Sequence, residues 1–194
     1  MPLSTLNKYL PPNALPYITE WLGTHKIDIH IKRDRKSKLG DYCKQANGRH
    51  MISINHSLPP ELFFFVFTHE LAHLLVREQY KQRVAPHGME WKRTFGLMIL
   101  ESLSVYNDNL KPILIRFAKN PKASFYSSEE LVRYFRMEEN ITYIEHLLPN
   151  DIFLYRGVLY RFLGKMRTRY RCLNLETKME YRFSPLVEVD KVDE

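Results

Sequence analysis

Cysteine is scarce in this chain, since only Cys43 and Cys172 occur among its 194 residues. Two cysteines so far apart provide no disulfide framework, which favours a reducing compartment. They also exclude a zinc ribbon, because that site needs two pairs of closely spaced cysteines. The chain must therefore fold on burial of apolar surface, and its length is sufficient for one good core and a small second one.

Long apolar runs are also missing. The most apolar stretch, residues 62–76, is interrupted by polar and charged side chains and falls short of the roughly eighteen apolar residues that a membrane span needs. Residues 1–21 have neither the basic start nor the apolar centre of a secretory signal. The sequence therefore predicts a cytoplasmic protein that does not enter a membrane.

One short segment carries most of the chemical information: FVFTHELAHLL, which contains His69, Glu70 and His73. On a helix, side chains four residues apart lie on the same face, so both imidazoles can bind one tetrahedral zinc ion. Glu70 projects beside them, where a carboxylate can act as general base toward a water. The alternative is a core helix with two hydrogen-bonded histidines. We favour a zinc site, because that alternative leaves Glu70 without a role.

A catalytic zinc needs a third protein ligand, and three candidates follow His73 at plausible distances. His87 lies between Pro86 and Gly88, which indicates a turn leading into the next helix. Glu90 lies one helical turn further on, and Glu101 three turns beyond that. Spacing alone leaves all three open, with a slight preference for His87.

A resemblance to a known family bears on that choice. The stretch from His69 to Trp91, HELAHLLVREQYKQRVAPHGMEW, resembles the active-site region of the SprT-like zinc metalloproteases. Upstream, residues 35–42 and 51–55 resemble the strand pair that precedes the zinc helix in that family. The resemblance implies that His69, His73 and His87 bind one zinc ion and that Glu70 is the catalytic acid and base. It also implies a peptidase acting on DNA-associated proteins.

The hydrophobic pattern predicts an α+β fold that begins with a zincin-like metalloprotease domain. This domain would comprise a small antiparallel sheet and the active-site helix, followed by further helices. Trp91 and the phenylalanines of the zinc helix are expected to pack around the site. The predicted helices are 3–9, 13–22, 61–76, 89–103, 109–119 and 127–136, and the predicted strands are 27–32, 42–45 and 50–54.

From residue 141 onward the pattern changes to short strands, which predicts a second, β-rich domain. We place the boundary near residues 137–140, so that the domains are 1–138 and 139–194. Four or five strands in so short a segment are typical of a small curled sheet or an SH3-like barrel. The predicted strands are 141–146, 151–155, 158–163, 169–173 and 179–183.

Positive charge is concentrated in this second domain, mostly within residues 156–182, while the whole chain has a net charge of +7. Arg167, Arg169 and Arg171 alternate, so on a strand they would face one side. Such a stripe indicates either DNA binding or an ordinary solvated surface. The aromatic residues among the arginines are expected to fill the core.

The sequence as a whole predicts a zinc-dependent endopeptidase with one Zn²⁺, with protein substrates, and with DNA as a candidate partner of the basic C-terminal region. The alternative is a nucleic-acid- or protein-binding module with a structural or vestigial zinc site. The remaining histidines lack partners at ligand spacing and are expected at surface or core positions: His25, His30, His50, His56 and His146.

Overall fold

The computed structural model describes residues 3–35, 38–81, 84–136 and 142–192. Helices and two β-sheets are both present, which confirms the predicted α+β class. The chain divides into two compact units, Met1–Leu131 and Val132–Glu194. The predicted boundary at residues 137–140 lies outside the described residues.

The first unit contains most of the helices at positions close to those predicted. The first predicted helix, at residues 3–9, is a 3₁₀ helix at Leu3–Lys8. The α-helices are α1 (Ala14–Leu22), α2 (Pro60–Tyr80), α3 (Met89–Glu101) and α4 (Lys111–Ala118), and α5 (Glu129–Arg136) spans the division between the units.

A three-stranded sheet precedes α2 in the chain. Its strands are β1 (Ile27–Lys32), β2 (Gly40–Lys44) and β3 (His50–Asn55), in the order β1-β3-β2. A turn at residues 47–48 joins β2 to β3, and Gly48 adopts the positive φ of 80° that this turn requires. The pairing of β2 with β3 is antiparallel, as expected.

The prediction of a wholly antiparallel sheet is wrong, because β1 runs parallel to β3. In the order β1-β3-β2, the strand that follows β1 in the chain lies on the far side of β3 and runs antiparallel to it, so β3 has the same direction as β1. Asn55, at the end of β3, donates from Nδ2 to the carbonyls of Arg35 and Lys38. Arg35 in turn donates to Asn55 Oδ1 and to Ser53 Oγ, at 2.9 and 3.0 Å. These bonds hold Arg35 and Lys38 against the end of β3.

Helix α2 is the centre of the first unit. It contacts β2 and β3 of the sheet and also α1 and α3, so it is buried nearly all round, as a helix that is apolar on every side must be. Pro60 occupies its first turn, where a missing N–H costs nothing. The phenylalanines of α2 are buried as predicted: Phe63, Phe64, Phe65 and Phe67.

The second unit is built on a five-stranded antiparallel sheet with the order β7-β6-β5-β4-β8. One face carries an apolar core that includes Phe153, Tyr160, Phe162 and Tyr170. The prediction that the aromatics among the arginines fill this core is confirmed for the last three, whereas Tyr181 is exposed. The strands are β4 (Ile152–Tyr155), β5 (Val158–Lys165), β6 (Tyr170–Asn174), β7 (Glu180–Phe183) and β8 (Asp190–Val192).

Two features of this unit differ from the prediction. The strand expected at 141–146 is not formed over the described residues, where Tyr143 makes an isolated antiparallel bridge to Glu188 and Ile144–His146 form a 3₁₀ helix. The Tyr143 N–H donates to His146 Nδ1 at 3.4 Å, a local bond that caps the 3₁₀ helix. Strand β8 was missed, because its three exposed residues, Asp-Lys-Val, show no alternation of apolar and polar side chains.

Among the described residues, none of the helices combines the length and the apolar character needed to cross a membrane.

Candidate metal centre and active-site cleft

Helix α2 brings two histidines together. His69 and His73 are one turn apart, and their Nε2 atoms lie 3.3 Å from each other. Two nitrogen lone pairs at that separation match neighbouring corners of a tetrahedral zinc site, in which zinc–nitrogen bonds are about 2.0–2.1 Å. The helical spacing predicted from the sequence therefore places both imidazoles at one point.

The third histidine reaches the same point from the turn before α3. The ring centroid of His87 lies 4.6 Å from that of His73 and 5.5 Å from that of His69. One nitrogen from each of the three rings lies within 4.8 Å of the others, so the group could hold a metal ion. His87 Nε2 is buried and has no hydrogen-bond partner among the described residues. A buried nitrogen without a partner is costly, and a metal ion would satisfy it.

The two carboxylates considered as third ligands lie elsewhere. Glu101, at the end of α3, accepts a hydrogen bond from Trp21 Nε1 at 2.9 Å. Glu90 follows His87 on α3 but is not part of the group of converging ligand atoms. The described geometry therefore brings His87, and neither glutamate, to the histidine pair.

All three imidazoles are in an environment that favours the neutral form, which is the form that binds metals. Burial, together with the neighbouring imidazoles, lowers the pKa of His69 to about 3. Burial and His87 lower the pKa of His73 to about 4, against a hydrogen bond to Pro86 that raises it. Burial also lowers the pKa of His87. At neutral pH each imidazole is therefore uncharged, and one of its two nitrogens carries no proton.

The surroundings of the three rings keep them in place. Trp91 is fully buried, and its ring lies 4.7 Å from His69, 5.3 Å from His73 and 4.7 Å from His87, centroid to centroid. Pro86 has no N–H, so its hydrogen bond with His73 must use its carbonyl as acceptor. A carbonyl partner of this kind fixes the orientation of a metal-binding imidazole. Trp91 thus seats the ligand turn against α2, as predicted.

Glu70 is buried in the wall beside this group, with 7% of its surface exposed. Burial, with a contribution from Asp41, raises the pKa of its carboxyl to about 8, while the charges of Lys38 and Arg35 and a bond from the Tyr42 N–H oppose the rise. The carboxyl group is therefore shielded from bulk water and held by a backbone donor.

Gly40 provides the space that Glu70 occupies. A β-carbon at this position would lie 2.6 Å from Glu70 Oε1 and 2.6 Å from Val66 Cγ1, far inside van der Waals contact. Any other residue would displace the carboxyl group or the strand. The first residue of β2 is therefore matched to the position of Glu70, a relation that the sequence did not indicate.

Strand β2 forms one edge of the sheet beside His69, His73 and His87, which we call the metal group because they could hold a metal ion. The Gln45 N–H donates to the Arg49 carbonyl at 2.8 Å, and hydrogen-bonded pairs alternate in an antiparallel ladder. The backbone groups of Gly40, Tyr42 and Lys44 must then point away from β3. Among the described residues no other strand pairs with this edge. An extended peptide could therefore add to it.

These elements enclose a cleft of about 740 Å³, within the usual range for ligand sites. Its walls are β2, the side of α2 that carries His69 and His73, the turn before α3 and residues 123–126. His69, Glu70, His73 and His87 all line it. The cleft therefore has access both to the histidine group and to the outward edge of β2.

A second group of ligand-type side chains was missed in the sequence. His25, His50 and Glu78 place one atom each within 4.8 Å of one another, although they are far apart in the chain. Here Lys44 Nζ lies only 2.6 Å from Glu78 Oε1. Because an ammonium group already neutralises this carboxylate, the group is adequately explained as an ion-paired cluster.

The arginines of the second unit are arranged differently from the prediction. Strand β6 begins at Tyr170, so Arg167 and Arg169 lie in the turn before it and do not share a strand face with Arg171. Instead, Arg171 lies directly opposite Arg182 on β7. Arg161 on β5 is exposed on the same outer face, which alternates with the buried aromatics.

Comparison with known proteins adds no further constraint. The chain matches no protein-family model, and searches among curated proteins and solved structures gave no significant match.

Proposed function

We propose that the first unit is a zinc-dependent endopeptidase of the SprT-like type with a zincin-like fold. The observation that carries the proposal is the convergence of His69, His73 and His87 beside the buried carboxyl group of Glu70 in one open cleft. Three neutral imidazoles match a catalytic zinc, which leaves a fourth position open. A purely structural zinc site would have four protein ligands and no use for a carboxyl group beside it.

The residues of the cleft have separate roles in this proposal. Zinc, when bound, would supply a Lewis acid that makes water a stronger acid and polarises a peptide carbonyl. The positive charge of that zinc would lower the raised pKa of the Glu70 carboxyl, and the resulting carboxylate would take a proton from the attacking water and return it to the leaving amine. The Tyr42 N–H orients the carboxyl group for both transfers. The outward backbone groups of Gly40 and Lys44 and the Tyr42 carbonyl hold the substrate chain extended across the cleft.

The second unit, which we propose to be an SH3-like sheet, would direct this activity to proteins associated with DNA. The supporting observation is the outer face of its sheet, where Arg161, Arg171 and Arg182 are exposed on three neighbouring strands. Like charges directly opposite each other destabilise a sheet, so the pair Arg171 and Arg182 favours a function for this face. Glu180 neutralises part of the charge, since it lies 3.1 Å from Arg171.

The substitution Glu70→Gln tests the catalytic proposal. The amide keeps the shape of the side chain but cannot take a proton, so zinc content should stay near one ion per chain while cleavage falls by at least about 100-fold. Zinc is measured by elemental analysis, and cleavage on an unfolded protein substrate. Glu20→Gln, an exposed change on α1, is the matched control.

Cleavage by the Glu70 variant at the wild-type rate would overturn the assignment of Glu70 as acid and base. Complete inactivity of the zinc-loaded wild type toward peptides and unfolded proteins would instead favour the alternative, a binding module with a vestigial site.

A further inference from the structure

Charge is distributed unevenly along the cleft. At the end where β2 begins, Lys38 pairs with Asp41 at 2.8 Å, and Glu70 is close by. At the other end the lining residues with charge are all positive: Lys44, Arg77 and Lys81. The cleft therefore presents a positive potential on the side where β2 ends.

The nearby Glu78 does not neutralise this end of the cleft. Its carboxylate lies 2.6 Å from Lys44 Nζ and 3.9 Å from Lys81 Nζ. It also lies 3.5 Å from His50 Nε2. One carboxylate thus faces three cations, so this end of the cleft keeps an excess of positive charge, and among the described residues no ion pair joins Glu78 to Arg77.

Arg77 is the cation without a partner. It follows His73 by four residues on α2, so it lies on the same face of the helix as that ligand and lines the cleft. Its side chain is half-buried, yet it forms no hydrogen bond or ion pair with any described residue. Burial of a charged group without a partner is unfavourable, and its fork of N–H donors matches a carboxylate in two parallel bonds.

Arg77 is also close to the strand on which a substrate would lie. Burial raises the pKa of Tyr42 to about 12, and the positive charge of Arg77 acts on the same hydroxyl in the opposite direction. Tyr42 is the residue of β2 whose ring stacks on His73, with centroids 6.3 Å apart. Arg77 therefore lies beside β2, a short distance from the histidine group.

We infer that Arg77 forms a specificity subsite for an acidic side chain of the substrate, on the side of the scissile bond nearer to the end of β2. This inference rests on the proposed peptidase function and names its substrate class. Arg77 binds the aspartate or glutamate carboxylate directly, while Lys44 and Lys81 add to the attractive field. A peptide that carries an acidic residue at this position is cleaved faster than its neutral counterpart.

The experiment compares pairs of peptides that differ only by Glu or Gln at one position near the cleaved bond. Both ends are blocked, so that side chains provide all carboxylates. Zinc-loaded wild type should favour Glu by about tenfold or more in kcat/KM at one position, as for a charge-assisted hydrogen bond. Arg77→Gln should bring that ratio close to one, and Arg77→Glu should favour Lys at the same position.

The matched control is Arg93→Gln, which removes the same charge from an exposed position of α3 outside the cleft lining. It should keep the preference of the wild type. Zinc content and cleavage of the peptide with Gln should be similar in the wild type, the control and Arg77→Gln, which excludes a general loss of structure.

Equal cleavage of the Glu and Gln peptides by wild type, or a preference that survives Arg77→Gln, would overturn the inference. A preference that appears only when the peptide has a free carboxyl terminus would also overturn it, because Arg77 would then recognise a chain end. If the wild-type protein cleaves none of the peptides, the proposed peptidase function is overturned, and the subsite with it.

Discussion

His87 is the third of the histidines that together could hold a metal ion. His69 and His73 come together through one turn of α2, whereas His87 must be delivered by a separate turn. That turn is closed by a bond of 3.0 Å from the Gly88 N–H to the Ala85 carbonyl. The position of His87 therefore depends on this short turn, and the turn offers no second histidine that could take its place.

Replacement of His87 by Ala should reduce bound zinc from about one ion per chain to well below one, because two imidazoles alone hold a catalytic zinc weakly. Glu90→Ala and Glu101→Ala are the controls and should keep zinc near the wild-type level. The measurement is elemental analysis after equilibrium dialysis. Unchanged zinc in the His87 variant, with a loss in one of the glutamate variants, would move the third ligand to that glutamate.

At the scale of the elements, a buried histidine of β3, His50, lies 3.5 Å from Glu78 on α2. His50 begins β3 with 6% of its surface exposed, and its Nδ1 lies 3.0 Å from the Tyr42 hydroxyl. Burial lowers the pKa of His50, while the charge of Glu78 on α2 opposes the change. Three further neighbours act in the same direction as burial: Lys44, His25 and Arg77.

This lowered pKa predicts a loss of stability on acidification. Since the folded pKa lies below the ordinary value of 6.5, the contribution of His50 is fully present above about pH 6.5 and is lost as the pH falls below it. His50→Gln cannot titrate, so the stability advantage of wild type over this variant should be smaller at pH 5.5 than at pH 8. Urea unfolding midpoints at both pH values measure the difference.

The same pair of measurements on His30→Gln, an exposed change on β1, controls for the loss of an imidazole from the sheet. An advantage of wild type over His50→Gln that grows on acidification would contradict the prediction.

Considered as a whole, the chain combines a cleft with catalytic-type residues in one unit and a basic sheet surface in the other. The three exposed arginines Arg161, Arg171 and Arg182 come from three strands and are brought together by pairing. If this surface binds nucleic acid, each phosphate contact releases counterions and makes affinity depend on salt.

The triple change of Arg161, Arg171 and Arg182 to Ser should weaken binding of single-stranded DNA. It should also lower the slope of log affinity against log salt by about two, since each phosphate contact contributes about 0.7. Fluorescence anisotropy titrations at several salt concentrations measure both. Zinc content should not change, because the metal group belongs entirely to the first unit.

The matched control removes three exposed lysines of the first unit, Lys26, Lys119 and Lys122, and so lowers the net charge equally. Equal effects of the two triple variants would show that binding follows overall charge and not the arginine surface.

Much of this arrangement could be read from the sequence, because the relevant signals are local. The spacing of His69 and His73 predicted one face of α2, and Pro86 and Gly88 predicted the turn at His87. The strand at Ile27–Lys32 was predicted at its observed bounds, since its side chains alternate in character. Strand β8 and the 3₁₀ helix at Ile144–His146 were not, because pairing partners and local hydrogen bonds decide them.

By itself the sequence determined the α+β class, the helix that carries two candidate ligands, and the position of the excess charge. Only the tertiary structure decided which residues meet: His87 rather than the glutamates at the histidine pair, Gly40 beneath Glu70, and β1 parallel to β3. It also decided that Arg77 lines the cleft with no hydrogen-bond or ion-pair partner in the described part of the chain. The physical reason is distance along the chain. Helical and strand periodicity act over a few residues, whereas these contacts join segments that approach each other only when the core closes.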